Sequence, residues 1–138
     1  MPTTGQLIRG VEPPFGSLAQ LSDGHHTWSA DMAASLGGGD LAPDPHDLLD
    51  SALAACTLLT LELVIRRKQL PVHALRVHIE HAETPASGER RNHYAISRRI
   101  EIDGDLTAEE RERLLAVANK CPVHRTLSGE IAITTTLA

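Results

Sequence analysis

The stretch "DPHDLLDSALAACTLLTLELVIRRKQLP", Asp44 to Pro71, constrains the chain most, because it carries both ends of one long helix in its own residues. Asp44 suits the N-cap, Pro45 the first helical position, and Asp47, three residues after the cap, completes a capping box. Leu48, Leu49, Ala52, Leu53, Cys56, Leu59 and Leu63 recur at spacings of three and four and define one broad apolar face. Arg66, Arg67 and Lys68 put positive charge in the last turn, and Pro71 blocks continuation. The pattern predicts a long helix with Cys56 on its buried side.

Before this helix the chain reads as strands and turns. In "FGSLAQLSDGHHTWSADM", Phe15 to Met32, the Asp23-Gly24 pair suits a tight hairpin turn, and a further strand is expected around Gln6 to Val11. The glycines from Gly37 to Asp40 read as a loop without a phosphate-binding motif. After the helix, "HALRVHIEH" (His73 to His81) alternates, with Leu75, Val77 and Ile79 on one face. "HYAISRRIEID" (His93 to Asp103) has Ile96, Ile100 and Ile102 in phase, so the two runs predict paired antiparallel strands. Thr107 and Glu110 form a capping box for a second helix whose apolar residues are Leu114, Leu115, Val117 and Ala118. A short helix then opens at Pro122, and "EIAITTTL", with Ile131, Ile133, Thr135 and Leu137 alternating, predicts a closing strand. The order βββ, α, ββ, α, α, β is that of an α+β domain, expected to be a single one over residues 1–138.

With only three aromatic residues in 138, the core must be built from Leu, Ile, Val and Ala. A formal charge of −5 without a basic block argues against nucleic acid or an anionic membrane surface as partner. No N-terminal run resembles a signal peptide, and no run is read as approaching the roughly 20 apolar residues that span a bilayer. The expectation is therefore a cytoplasmic chain, whose thiols are kept reduced.

Chemistry centres on the two cysteines. In "NKCPVHRTLSG", Asn119 to Gly129, Pro122 suits the first position of a short helix and Cys121 its cap. A thiol there faces unpaired N–H groups, with His124 and Arg125 near in sequence, and all three lower a cysteine pKa from its reference of about 8.5. Cys56, mid-helix on an apolar face, needs a cationic partner to react, and packing alone also accounts for either cysteine. Eight histidines raise a metal alternative through Cys121 and His124, with His78, His81, His25 or His26. No C-x-x-C or H-E-x-x-H pair accompanies them, and polar surface placement is their ordinary explanation.

"DPHDLLDSALAACT" followed sixty-five residues later by "CPVHRTL", with a β-rich N-terminal part and a strand at the end, resembles the OsmC/Ohr family and particularly its YhfA-like branch. The resemblance implies an α+β fold with an antiparallel sheet of about six strands and a long central helix. It implies an intertwined homodimer with two active sites at the interface, and no metal or organic cofactor. It further implies thiol-dependent reduction of organic hydroperoxides, with Cys56 attacking the peroxide, Cys121 resolving the sulfenic acid as a disulfide, and a lipoyl-type dithiol restoring both.

The chain departs from the family pattern where a glutamate is expected ten residues before the first cysteine. His46 stands there, with Asp47 beside it. Ten helical residues span about 15 Å, so either residue could serve Cys56 only from the partner subunit. Arg9 is the one arginine before Arg66 that could supply the family's thiolate-holding guanidinium. The alternative function is a non-peroxidase module of the same fold that binds a small ligand or senses redox state.

Overall fold

The computed structural model describes every residue except Met1, Val11, Pro13 and Pro14. The chain divides into two compact units, Met1–Leu49 and Asp50–Ala138.

In the first unit, β1 (Thr4–Gln6), β2 (Ala19–Ser22) and β3 (Thr27–Ala30) form an antiparallel sheet in that order. The expected hairpin is present: Asp23 accepts the His25 and His26 N–H groups at 2.9 and 2.7 Å, and Gly24 takes φ 94°. That left-handed conformation is the one glycine adopts without steric cost. The strand expected around Gln6 to Val11 lies earlier, at Thr4–Gln6, and Val11 is outside the described residues. Asp31 is buried and accepts hydrogen bonds from the Ser17 hydroxyl, the Met32 N–H at 2.7 Å and the Leu41 N–H at 3.1 Å, which gather the segment from 31 to 41. The Ser17 and Leu41 donors outweigh burial and hold its carboxyl below the usual carboxylate range.

The long helix, α1, runs Pro45–Lys68. Its start is capped reciprocally as expected: the Asp47 N–H donates to Asp44 Oδ1 at 3.0 Å and the Asp44 N–H to Asp47 Oδ2 at 3.4 Å. The buried stripe differs from the expected face. It comprises Leu53, Thr57, Leu61 and Ile65, while Leu59 and Leu63 are 66% and 69% exposed and Cys56 is half-buried. The helix is apolar on more than one side, so periodicity alone did not single out the side that packs. By length and composition α1 could cross a bilayer, with mean hydropathy 1.9 over its best window, which corrects the expectation that no run approaches a span. Core helices meet the same criterion, and this one places Leu61 and Ile65 in a core with Leu114 and Ala118.

β4 (Val72–Thr84) and β5 (His93–Gly104) form the expected antiparallel ribbon, longer than the sequence pattern suggested. Leu75 pairs with Ile102, Val77 with Ile100 and Ile79 with Arg98. Leu75, Ile100 and Ile102 pack on the core from one face. On the ribbon Glu101 accepts from Arg76 Nε at 3.0 Å and from Arg99, with His78 Nε2 at 3.4 Å. α2 (Ala108–Ala118) begins at the full Thr107–Glu110 capping box. α3 (Pro122–Ser128) begins at Pro122 with Cys121 as its N-cap. Arg111 donates to the carbonyls of Ile102 and Gly104, both at 2.9 Å, and ties α2 to the end of β5.

The closing strand does not form. No strand is assigned after Ser128, and Ile131, Ile133 and Leu137 are 58%, 85% and 100% exposed. An extended segment needs an edge to satisfy its N–H and C=O groups, and alternation alone supplies none. Among the described residues the chain forms five strands, three in one sheet and two in the other.

Two outcomes test this packing. A Cβ on Gly104 would sit 2.3 Å from the Pro71 carbonyl oxygen, a backbone atom at the ribbon's start. Gly104→Ala is expected to cost about 1–3 kcal/mol, read as a lower urea midpoint, and an unchanged midpoint contradicts the close approach. Its Arg76 and Arg99 partners bring Glu101 down to about 2 from an ordinary 4.5. A depressed carboxylate stabilises the fold above its unfolded pKa, and that contribution fades as pH falls from 4.5 toward 2. Glu101→Gln should therefore flatten the fall of Tm across that interval.

Candidate active site

The inner phase of β5 runs Ile96, Arg98, Ile100, Ile102, and it is the charged member of that row that builds the site. Arg98 is half-buried, and the four hydrogens of its two Nη atoms meet four acceptors. Nη1 donates to Thr57 Oγ1 at 2.9 Å and reaches Cys121 Sγ at 4.0 Å. Nη2 donates to Asn119 Oδ1 at 3.0 Å and to His124 Nδ1 at 2.9 Å. Because a guanidinium only donates, His124 Nδ1 must carry a lone pair, which assigns the ring proton of neutral His124 to Nε2. Thr57 spends its one hydrogen on the Leu53 carbonyl at 2.7 Å and so presents lone pairs to Arg98. None of these partners is a carboxylate.

The two cysteines meet here as free thiols in contact with each other. Cys121 is fully buried and accepts the His124 N–H at 3.4 Å, an N-cap bond made with sulfur. Burial pushes the Cys121 thiol up, but the His124 N–H, the Cys56 thiol and the Arg98 guanidinium outweigh it and lower its pKa from the ordinary cysteine value. With the Thr57 hydrogen committed to Leu53, the donors left for the sulfur are the His124 N–H, the Cys56 S–H and Arg98. Cys56 is the thiol open to solvent; its sulfur takes the Val123 N–H at 3.5 Å and lies 3.9 Å from Thr60 Oγ1.

A cavity of about 450 Å³ adjoins this cluster. Leu53, Ile96, Ile100, Leu115 and Leu127 line it, with Arg98, Asn119 and His124 among its polar groups. Tyr94 also lines it, donating to Asp50 Oδ1 at 2.8 Å and stacking on His81, which is itself bonded to Asp50.

The other expected site residues, His46, Asp47 and Arg9, belong to the first unit. His46 and Asp47 occupy the exposed first turn of α1, where Asp47 completes the cap. Arg9 lies on the exposed segment after β1. Of the neighbours of Cys121 in sequence, His124 turns its ring to Arg98, whereas Arg125 is exposed. Among the described residues no group of three His, Cys, Asp or Glu side chains is arranged to hold a metal ion. Sequence reasoning missed Arg98, Thr57 and Asn119. The signal for Arg98 was available: a lone arginine on the apolar phase of a strand, between Ile96 and Ile100.

No curated protein sequence matches the chain. The family model for OsmC-like protein matches residues 37–136. Among solved structures the fold is similar to an OsmC-like protein from Mycoplasma pneumoniae (20% identity, TM-score 0.75, covering 93% of this chain and 86% of that one). It is also similar to an organic hydroperoxide resistance protein OsmC from Legionella pneumophila (23%, 0.67, 94% and 90%). A third is the organic hydroperoxide resistance protein OhrB of Bacillus subtilis (17%, 0.65, 93% and 90%). A family match over most of the chain, together with an α+β fold shared across nearly the full length of these structures, makes this chain a member of the OsmC family.

Proposed function

We propose that the protein reduces organic hydroperoxides with Cys56 as the attacking thiol and Cys121 as the resolving one. The observation that carries this reading is the contact of two reduced thiols, one half-exposed and one buried beside a guanidinium. The names of the Legionella and Bacillus relatives, both hydroperoxide resistance proteins, support the substrate class. Five aliphatic side chains in the lining of the adjoining cavity leave room for the organic group of such a substrate.

The Cys56 thiolate attacks the peroxide; an S–O bond forms, the O–O bond breaks, and the alkoxide leaves to take a proton from solvent. The Cys121 thiolate then attacks the Cys56 sulfur, an S–S bond forms, and hydroxide leaves as water. A lipoyl-type dithiol reduces the disulfide by two exchange steps, being oxidised to its own disulfide. Such a cycle suits a reducing cytoplasm, which keeps the dithiol pool available.

The working form in this reading is a homodimer. Leu59 and Leu63 are neighbours on one face of α1 and largely exposed, and a second copy would cover them. His46 and Asp47, remote along α1 from Cys56 of their own chain, would then act from the partner.

Two measurements test the reading. Wild type should consume cumene hydroperoxide with dihydrolipoamide as reductant, and Cys56→Ser should lose that turnover by at least about a hundredfold. Absence of Cys56-dependent turnover favours a ligand-binding or redox-sensing module of the same fold. Leu63→Glu should convert a dimer to a monomer in light scattering; a wild-type monomer contradicts the assembly.

A further inference from the structure

Within the proposed cycle, and resting on that reading, we infer that Arg98 is a positioning residue for the resolving thiol: it holds Cys121 ready to attack the Cys56 sulfenic acid, and leaves the peroxide step to Cys56 and its own surroundings. The geometry separates the two sulfurs. Arg98 Nη1 lies 4.0 Å from Cys121 Sγ, whereas the hydrogen-bond partners of Cys56, besides the Cys121 thiol, are the Val123 N–H and Thr60. The guanidinium has no carboxylate partner among the described residues. Its positive charge is therefore uncompensated next to a fully buried sulfur.

Its orientation is fixed on three elements at once. Thr57 on α1, Asn119 at the end of α2 and His124 on α3 each accept one of its hydrogens, all as neutral groups. An arginine salt-bridged to a carboxylate would offer the sulfur a neutralised pair; held by three neutral acceptors, it offers a full charge. The ionisable groups facing Cys121 are Cys56 on α1, Arg98 on β5 and His124 on α3.

The consequence concerns the second chemical step. Disulfide formation needs the Cys121 thiolate, and its rate follows the thiolate fraction. Losing Arg98 should therefore let the Cys56 sulfenic acid accumulate and proceed to sulfinic acid when peroxide is in excess.

The test compares wild type, Arg98→Met, Arg98→Lys and Asn119→Ala, each confirmed folded by circular dichroism. Single-turnover mixing with cumene hydroperoxide reads sulfenic acid by dimedone trapping and disulfide by intact mass. Arg98→Met should form the sulfenic acid at the wild-type rate but the disulfide about tenfold more slowly at pH 7, with the pH profile of that step moved upward. Arg98→Lys should recover part of the loss, and Asn119→Ala should show a smaller one. A slowed sulfenic step with an unchanged disulfide step overturns the assignment.

A second readout needs no peroxide. With 13Cβ-labelled cysteine, the Cys121 titration midpoint should rise in Arg98→Met relative to wild type. If the wild type turns over no hydroperoxide, the functional reading falls while this titration still decides what Arg98 does. An unmoved midpoint overturns the inference even if turnover is present.

Discussion

The C-terminal unit depends on one stripe of α1, in which Leu53, Thr57, Leu61 and Ile65 follow each other at every fourth residue. Leu61 and Ile65 fill the aliphatic core with Leu114 and Ala118, and burying each of the leucine and isoleucine side chains is worth about 1.5–3 kcal/mol. Thr57 is the exception in that row. Its hydrogen returns to the helix at Leu53, and its lone pairs accept from Arg98, so the core passes into the site without leaving a buried polar atom unsatisfied. The same stripe that stabilises the unit therefore fixes the guanidinium that approaches Cys121.

Much of this was legible in the sequence where the signal is local. The caps of α1 and α2, the Asp23-Gly24 turn and the Cys121-Pro122 helix start are decided by residues within three or four positions of one another. What failed was non-local. The packing side of α1 could not be read from a helix apolar on several faces, and Leu59 and Leu63 turned outward where the repeat had placed them inward. The closing strand had the right alternation but pairs with neither sheet. Arg98 stands beside a second arginine, Arg99, in the sequence. Yet Arg98 and Arg99 point to opposite sides of β5, the first to the thiols and the second to Glu101.

The two cysteines, equivalent as letters, differ as chemical groups. Cys56 is reachable by solvent and contacts the Val123 N–H at the start of α3. Cys121 is sealed from solvent, caps that same helix and shares the charge of Arg98. This asymmetry suits a division of labour in which the open thiol meets the oxidant and the buried one, held as a nucleophile, closes the disulfide.

The most direct test of this account is the mass of the reduced protein after one equivalent of cumene hydroperoxide, resolved by peptide mapping. The account predicts a loss of two hydrogens, about 2 Da, located in a linked Cys56–Cys121 peptide pair. A gain of oxygen on Cys56 with Cys121 still a free thiol, or no change in either residue, would contradict it.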